Sequence, residues 1–347
     1  MYVLRPAAHA DLAQIETIAT KAAIGITSLP PVTQKLADKI AHSIYSFGGE
    51  VDVPGEETYF FVLENTETGE IAGTSGIAAS AGFHDRFYSY RNEIIVHASQ
   101  QLKVSNKIHA LHLCHDLTGY SLLTSFYIDP ALADTAWPQL LSRGRLLFIA
   151  EHRQRFADKL AAENPGVCDA DGRSPFWDAV GRRFFNMAYP QAERLSGGRS
   201  RTFIAELMPQ YPIYVPLLPP DAQLAIGQLH PDGELPFSIL LDEGFDADTY
   251  IDIFDGGPTV EARLQTLATI RHQRRRVLTS SELLGASPPN ALVANTACAG
   301  FRATLASAQI GPDALITHKA TREHLGLDEG APVRAVPLHI LADPGGE

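Results

Sequence analysis

His230 lies between Leu229 and Pro231 in the densest stretch of the sequence, Arg201 to Pro258. That stretch also holds a strand-like run, a Pro/Tyr-rich loop and an acidic turn of Asp252, Asp255, Gly256 and Gly257. An imidazole titrates near neutral pH without large perturbation, which suits it to moving a proton. His230 is the best candidate for that chemistry, although a histidine before proline can equally do no more than cap a loop. Arg91 and Glu163 offer complementary charges. A guanidinium grips a carboxylate in a two-point fork, and a carboxylate grips a guanidinium the same way. Surface ion pairing accounts for each of them equally well. The acidic turn could draw in a cationic molecule, or simply end a strand. His109, His112, Cys114 and His115 crowd together, but in a strand His112 and Cys114 share a face and His115 points away. Ordinary strand packing is therefore favoured over a metal site. Ser28 and Ser99 lack the His/Asp company that activates a hydroxyl.

These residues need a frame. Tyr2 to Leu4 reads as a short strand, and Asp11 can cap a helix with Leu12, Ile15, Ala19 and Ala22 at helical spacing. A loop over Ile24 to Pro31 precedes a second helix, Gln34 to Phe47. Tyr59 to Leu63 and Ile71 to Ile77 form a β-hairpin across a Gly69-containing turn. Ala110 to Cys114 and Leu122 to Ile128 are further strands, and Leu140 to Leu160 reads as one long helix. A helix ends at Gly244-Phe245, and a strand ends at Asp255-Gly256-Gly257. Pro175-Phe176 followed by Phe184 echoes Pro236-Phe237 followed by Phe245, which suggests two related α/β units. The expected divisions are 1–130, 131–263 and a small β-rich region at 264–347. In that last region Ala291 to Asn295, Phe301 to Ala306 and Val333 to Ile340 look like strands, and Arg271 to Arg276 is a basic cluster on a solvated face.

The 347 residues carry 28 Lys and Arg against 40 Asp and Glu, a net charge of −12. That balance argues against a nucleic-acid or anionic-membrane surface, which needs clustered cations. Cys114, Cys168 and Cys298 form neither a disulfide framework nor a zinc spacing, so a reducing cytoplasm is expected. The N-terminal residues lack a signal-peptide layout, and no apolar run is long enough to cross a bilayer.

Several segments occur in order: VLRPAAHADL, GITSLP, YFFVLENTETGEIAGTSGI, FYSYRNE, VHAS, CHDLTG, SPFWDAVGRRFF, FIAELMPQYPIYV, IGQLHP and YIDIFDGGPT. Together they resemble the arginine N-succinyltransferase family from residue 2 to about 260. Within it, NKIHALHLCHDLTGYSLLTSFYIDP and SRTFIAELMPQYPIYVPLLP look most like the alpha chain of the two-subunit form. The resemblance implies an α+β chain with a duplicated GCN5-related N-acetyltransferase fold, its two units exchanging strands. It implies transfer of a succinyl group from succinyl-CoA to the α-amine of arginine or ornithine in arginine catabolism, with a beta subunit as partner and no metal. Direct attack by the amine, without a covalent enzyme intermediate, fits such a reaction.

The family's catalytic histidine maps onto His230, and its acyl-CoA contact onto Phe126 in the strand expected to be splayed. Arg91 and Glu163 are the candidates for the amino acid's carboxylate and guanidinium. Phe126 is itself a departure, since single-chain members tend to carry Leu there. A larger departure is the pyrophosphate loop. Acetyltransferase folds place Arg/Gln-x-x-Gly-x-Gly/Ala at a helix N-terminus, whereas this chain has Ala133-Asp134-Thr135-Ala136-Trp137-Pro138. Arg143 and Arg145 could compensate in part. Otherwise the chain depends on a beta subunit for CoA binding, or serves as its non-catalytic structural or regulatory partner.

Overall fold

A computed structural model describes residues 1–22, 29–196, 206–281 and 287–340. Ser28, most of GITSLP and the strand-like run at 201–205 lie outside these residues. The described strands are β1 (Tyr2–Pro6), β2 (Thr58–Asn65), β3 (Ile71–Ala78), β4 (Ser89–Ser99), β5 (Val104–Cys114), β6 (Ser121–Ile128), β7 (Lys159–Glu163) and β8 (Ile213–Tyr214). They continue with β9 (Asp246–Ile251), β10 (Pro258–Arg263), β11 (Arg274–Ser280), β12 (Ala291–Asn295), β13 (Ala303–Ala306), β14 (Ala308–Ile310), β15 (Ala314–Thr317) and β16 (Pro332–Pro337). All join one mixed sheet in the order β14-β15-β11-β16-β12-β13-β1-β2-β3-β6-β7-β10-β9-β4-β5-β8.

The helices are α1 (Leu12–Lys21), α2 (Thr33–Gly48), α3 (Trp137–Glu151), α4 (Pro175–Ala179), α5 (Gly181–Phe185), α6 (Tyr189–Ser196), α7 (Pro220–Ala225), α8 (Glu234–Glu243), α9 (Ala268–His272) and α10 (Lys319–His324). Strand β2 is an unbroken aromatic and aliphatic run, because both of its faces are covered. Phe60 and Val62 pack with α1 and α2, while Tyr59, Phe61 and Leu63 pack with α3. The hairpin β2–β3 closes through Gly69, at φ 74°.

The central order β1-β2-β3-β6-β7-β10-β9, with α3 crossing over from β6 to a parallel β7, is the acetyltransferase-type arrangement the resemblance implied. The residues on either side of position 130 share this sheet. β6 lies beside β7, and the β4–β5 hairpin lies beyond β9. Six strands from 274 onward extend the sheet from the outer edge of β1, where Leu4 pairs with Ala303.

The helix expected over Leu140 to Leu160 is shorter. It ends at Glu151; His152 leaves helical geometry at φ −112°, ψ 47°, and Leu160 to Ala162 form the buried centre of β7. A short apolar run reads alike as buried helix or buried parallel strand, and only the sheet decides it. The two halves of the sequence echo differ locally at their glycines. Gly181 opens α5, whereas Gly244 terminates α8 in the left-handed region at φ 100°. The basic cluster 271–276 is the end of α9 and the start of β11, with Arg275 reaching Glu151 at 3.6 Å.

Candidate active site

Strands β6 and β7 pair only at Ser121–Leu160 and Leu122–Ala161. Beyond that point they diverge and leave a cavity of about 300 Å³. Thr124, Ser125 and Phe126 line one wall, and Ala162, Glu163, Asn164 and Pro165 the other. On its other edge β6 slips register against β3 between Thr74 and Gly76. Ser125 absorbs the slip at φ 57°, a left-handed conformation that costs a serine about 1–2 kcal/mol. The Thr74 hydroxyl holds it by donating to the Ser125 carbonyl at 2.8 Å. Past Leu122, the backbone groups of β6 that face β7 have no ladder partner there. The splayed strand expected from the sequence is thus in place, with Phe126 at the cavity wall.

Glu163 ends β7 and also lines the cavity. Glu193, Asp232, Asp252 and Asp255 add four more carboxyl side chains to the lining. Asp255 is buried and accepts from the backbone N–H groups of Gly166 and Gly257, each at 2.8 Å, and from the Tyr189 hydroxyl at 3.1 Å. Burial raises its carboxyl above the ordinary value in spite of these bonds.

His230 sits at the rim, two residues before the lining residue Asp232, with its side chain 21% exposed. Its backbone N–H donates to the Pro165 carbonyl at 2.9 Å, and Leu229 bridges Gly166. Its Nδ1 accepts from the Asp232 backbone N–H at 3.3 Å. That contact orients the ring at the rim, where it can take up and give back a proton. Arg91 is placed elsewhere. It lies on β4 beside Tyr250 of β9, its guanidinium is held by Glu93 and Asp116, and it does not line the cavity. His112, on β5, lies 3.3 Å from the same Glu93, and Cys114 meets Ser89 at 3.5 Å.

The N-terminus of α3 offers a phosphate little. The Trp137 N–H donates to the Thr135 hydroxyl at 3.3 Å, Pro138 has none, and the Gln139 N–H donates to the Ala136 carbonyl at 3.2 Å. Neither nearby arginine compensates. Arg143 is buried against Glu243 at 2.9 Å and donates to the Leu338 and Pro337 carbonyls. Arg145 is 2% exposed and turns into the cavity wall.

Two cations flank the bulge: Lys39, which no sequence motif marked, and Arg145, expected instead at the phosphate loop. Arg145 has its guanidinium carbon 5.9 Å from the Phe126 ring. Lys39, from α2, donates to the Ser125 hydroxyl at 2.6 Å and lies over the Phe60 ring. Burial pulls the Lys39 amine down to about 7. The signal for Arg145 was present in WPQLLSRGRLLFIAE. A helix apolar on every side is buried all round, and so are its arginines.

A family model described as the arginine N-succinyltransferase beta subunit matches residues 2–269. A second, for that subunit's C-terminal domain, matches residues 273–337. The chain is 51% identical to the Pseudomonas aeruginosa protein named arginine N-succinyltransferase subunit alpha, over 97% of this chain and 100% of that one. It is 40% identical to the arginine N-succinyltransferase of Salmonella paratyphi B, over 97% and 98% of the two chains. The solved structure of arginine/ornithine succinyltransferase subunit AI from Pseudomonas aeruginosa superposes with a TM-score of 0.89 at 48% identity, covering 98% of this chain and 99% of that one.

Proposed function

The chain belongs to the arginine N-succinyltransferase family, and from that premise we propose that it transfers a succinyl group from succinyl-CoA to the α-amine of L-arginine or L-ornithine, as the alpha subunit beside a beta subunit. The observation that carries this reading is the cavity where β6 leaves β7. It combines strand-edge backbone groups with acidic side chains that suit a cationic amino acid. The amine nitrogen bonds to the thioester carbonyl carbon, and the proton it sheds passes to the His230 imidazole. Backbone N–H groups of the splayed strand stabilise the oxyanion. The carbon–sulfur bond then breaks, and the leaving sulfur takes that proton back from the His230 imidazolium, which returns to the neutral ring. Phe126 packs beside the acyl group, and Glu163 faces the guanidinium or amine of the acceptor. Arg91 is left out of this assignment, because Glu93 and Asp116 already hold it.

The cavity offers a thioester the strand-edge backbone of β6 and the Phe126 side chain, whereas the α3 N-terminus offers a pyrophosphate little. That mismatch favours a second reading, in which this chain supports a catalytic beta subunit without performing chemistry. One experiment separates the two: succinyl transfer to arginine and to ornithine by the chain alone and by its complex with the beta chain, each with and without His230→Ala in this chain. Loss of activity in an assembled complex supports chemistry in this subunit. An unchanged rate leaves it the structural partner.

A further inference from the structure

We infer that Arg145 binds the free carboxylate of the donor's acyl group, so that the chain selects a dicarboxylic acyl thioester over a monocarboxylic one. The inference rests on the acyl-transfer reading above and adds to it the residue that sets donor specificity. Arg145 is 2% exposed, yet it lines the cavity, and among the described lining residues it is the one Arg or Lys. No ion pair among the described residues includes it. A buried charge is costly unless it is paired, and the contrast with its neighbour is direct. Arg143, one position before Gly144, has a buried carboxylate and two carbonyls. Arg145 has carbonyls and a hydroxyl only.

The guanidinium is oriented but not saturated. Nε donates to the Ser142 carbonyl and Nη2 to the Ser142 hydroxyl, both at 3.0 Å. Nη1 makes only long contacts, 3.4 Å to the Gly76 carbonyl and 3.5 Å to the Thr124 carbonyl. Gly76 and Thr124 flank the β6 bulge, so this weakly satisfied nitrogen sits at the strand that would hold the thioester. Burial without a countercharge pulls the guanidinium down to about 9, still protonated at neutral pH. The five lining carboxylates do not reach it, which leaves the cavity with one cationic wall and one acidic wall. A succinyl group carries its carboxylate two methylenes beyond the thioester carbonyl. Phe126 supplies an apolar surface for those methylenes and Arg145 the charge.

The test compares succinyl-CoA with butyryl-CoA, which has the same chain length and no carboxylate. Initial rates with arginine are measured for the complex carrying wild-type chain, Arg145→Gln or Arg145→Lys, and donor affinity is measured by calorimetry on the purified chain. Arg145→Gln should lower kcat/KM for succinyl-CoA on the order of 100-fold, the loss of a charged hydrogen bond to a carboxylate. Butyryl-CoA should stay within about twofold, because it never made that bond. Arg145→Lys keeps the charge without the fork and should fall between; it also serves if the glutamine variant fails to fold. Equal losses for both donors would make Arg145 a scaffold residue and overturn the proposal, as would an unchanged succinyl-CoA value. A wild-type complex that transfers neither acyl group would defeat the proposed function instead. Calorimetry would then still decide Arg145: a preference for succinyl-CoA that vanishes in Arg145→Gln supports it, and no preference overturns it.

Discussion

His230 hangs from Pro165: its backbone N–H donates to the Pro165 carbonyl at 2.9 Å, which ties the candidate acid to the cavity wall. The next residue, Gly166, is wedged against Asp255. A Cβ on Gly166 would lie 2.7 Å from the Asp255 carboxylate oxygen and 2.7 Å from the Gly257 nitrogen. Gly166→Ala must therefore shift the segment that positions His230. We expect a loss of about 1–3 kcal/mol in denaturant unfolding, together with at least a tenfold fall in kcat. An unchanged kcat would show that the histidine does not depend on this wall.

His230→Ala should lower kcat/KM by about 10²–10⁴, the range for removal of a positioned acid or base. The variant complex should elute with the wild-type complex in gel filtration. Retained activity would show that the sulfur obtains its proton elsewhere.

Lys39 gives the protein a pH signature. Its folded amine, at about 7, lies below the ordinary lysine value of 10.5. Between those values the unfolded chain holds a proton that the folded chain has shed, so stability attributable to this group rises with pH across the window. Lys39→Met removes that slope. Wild-type stability relative to the variant should increase by ~2 kcal/mol from pH 7 to pH 9, since each pKa unit is worth about 1.4 kcal/mol. A constant difference across those pH values would mean the amine titrates normally.

Arg143 and Glu243 join α3 to α8, and the Glu243 carboxylate also accepts from the backbone N–H and hydroxyl of Thr269. Replacing one partner strands a buried charge. Glu243→Leu should cost about 3–5 kcal/mol by thermal or denaturant unfolding. The double variant Arg143→Leu/Glu243→Leu should cost less than the sum of the singles.

The α3 N-terminus can be rebuilt. Ala133→Arg/Ala136→Gly/Pro138→Gly restores a cation and two glycines where the local N–H groups are now absent or used. We expect CoA to bind on the order of 10–100-fold more tightly, equivalent to about 1.4–2.8 kcal/mol. Titration of CoA against both chains reads this, and equal affinities would remove the phosphate loop as an explanation.

Much of this architecture was legible in the residues. The β2–β3 hairpin, α2 and β6 follow from periodicity and turn chemistry, and the family motifs supplied the acetyltransferase-type frame. Strand β4 escaped because its early positions, Arg91 to Glu93, are polar and much of the rest is exposed, so no core face marks it. The start of β7, Lys159 and Leu160, was absorbed into a helix and the rest went unread, because its buried centre carries no alternation. At the site, Phe126 and Glu163 reach the cavity, His230 its rim, and Arg91 an ion-pair network outside it. The positions of Lys39 and Arg145 follow from helix packing across two sheet faces. No spacing of residues along a sequence encodes such three-dimensional convergence.

Tyr2 and Thr304 are joined by a bond from the Thr304 hydroxyl to the Tyr2 carbonyl at 2.8 Å, across a separation of 302 residues. Strand β1 receives its outer neighbour from β13. On the ribosome β1 must therefore wait, with one edge bare, until the residues of β13, some three hundred positions later, have been made. An uncovered strand edge is a template for wrong pairing, and contacts this distant in sequence form slowly. Synthesis that stalls before β13 should thus yield chains prone to aggregate through β1, so the yield of soluble protein depends on β13 being translated.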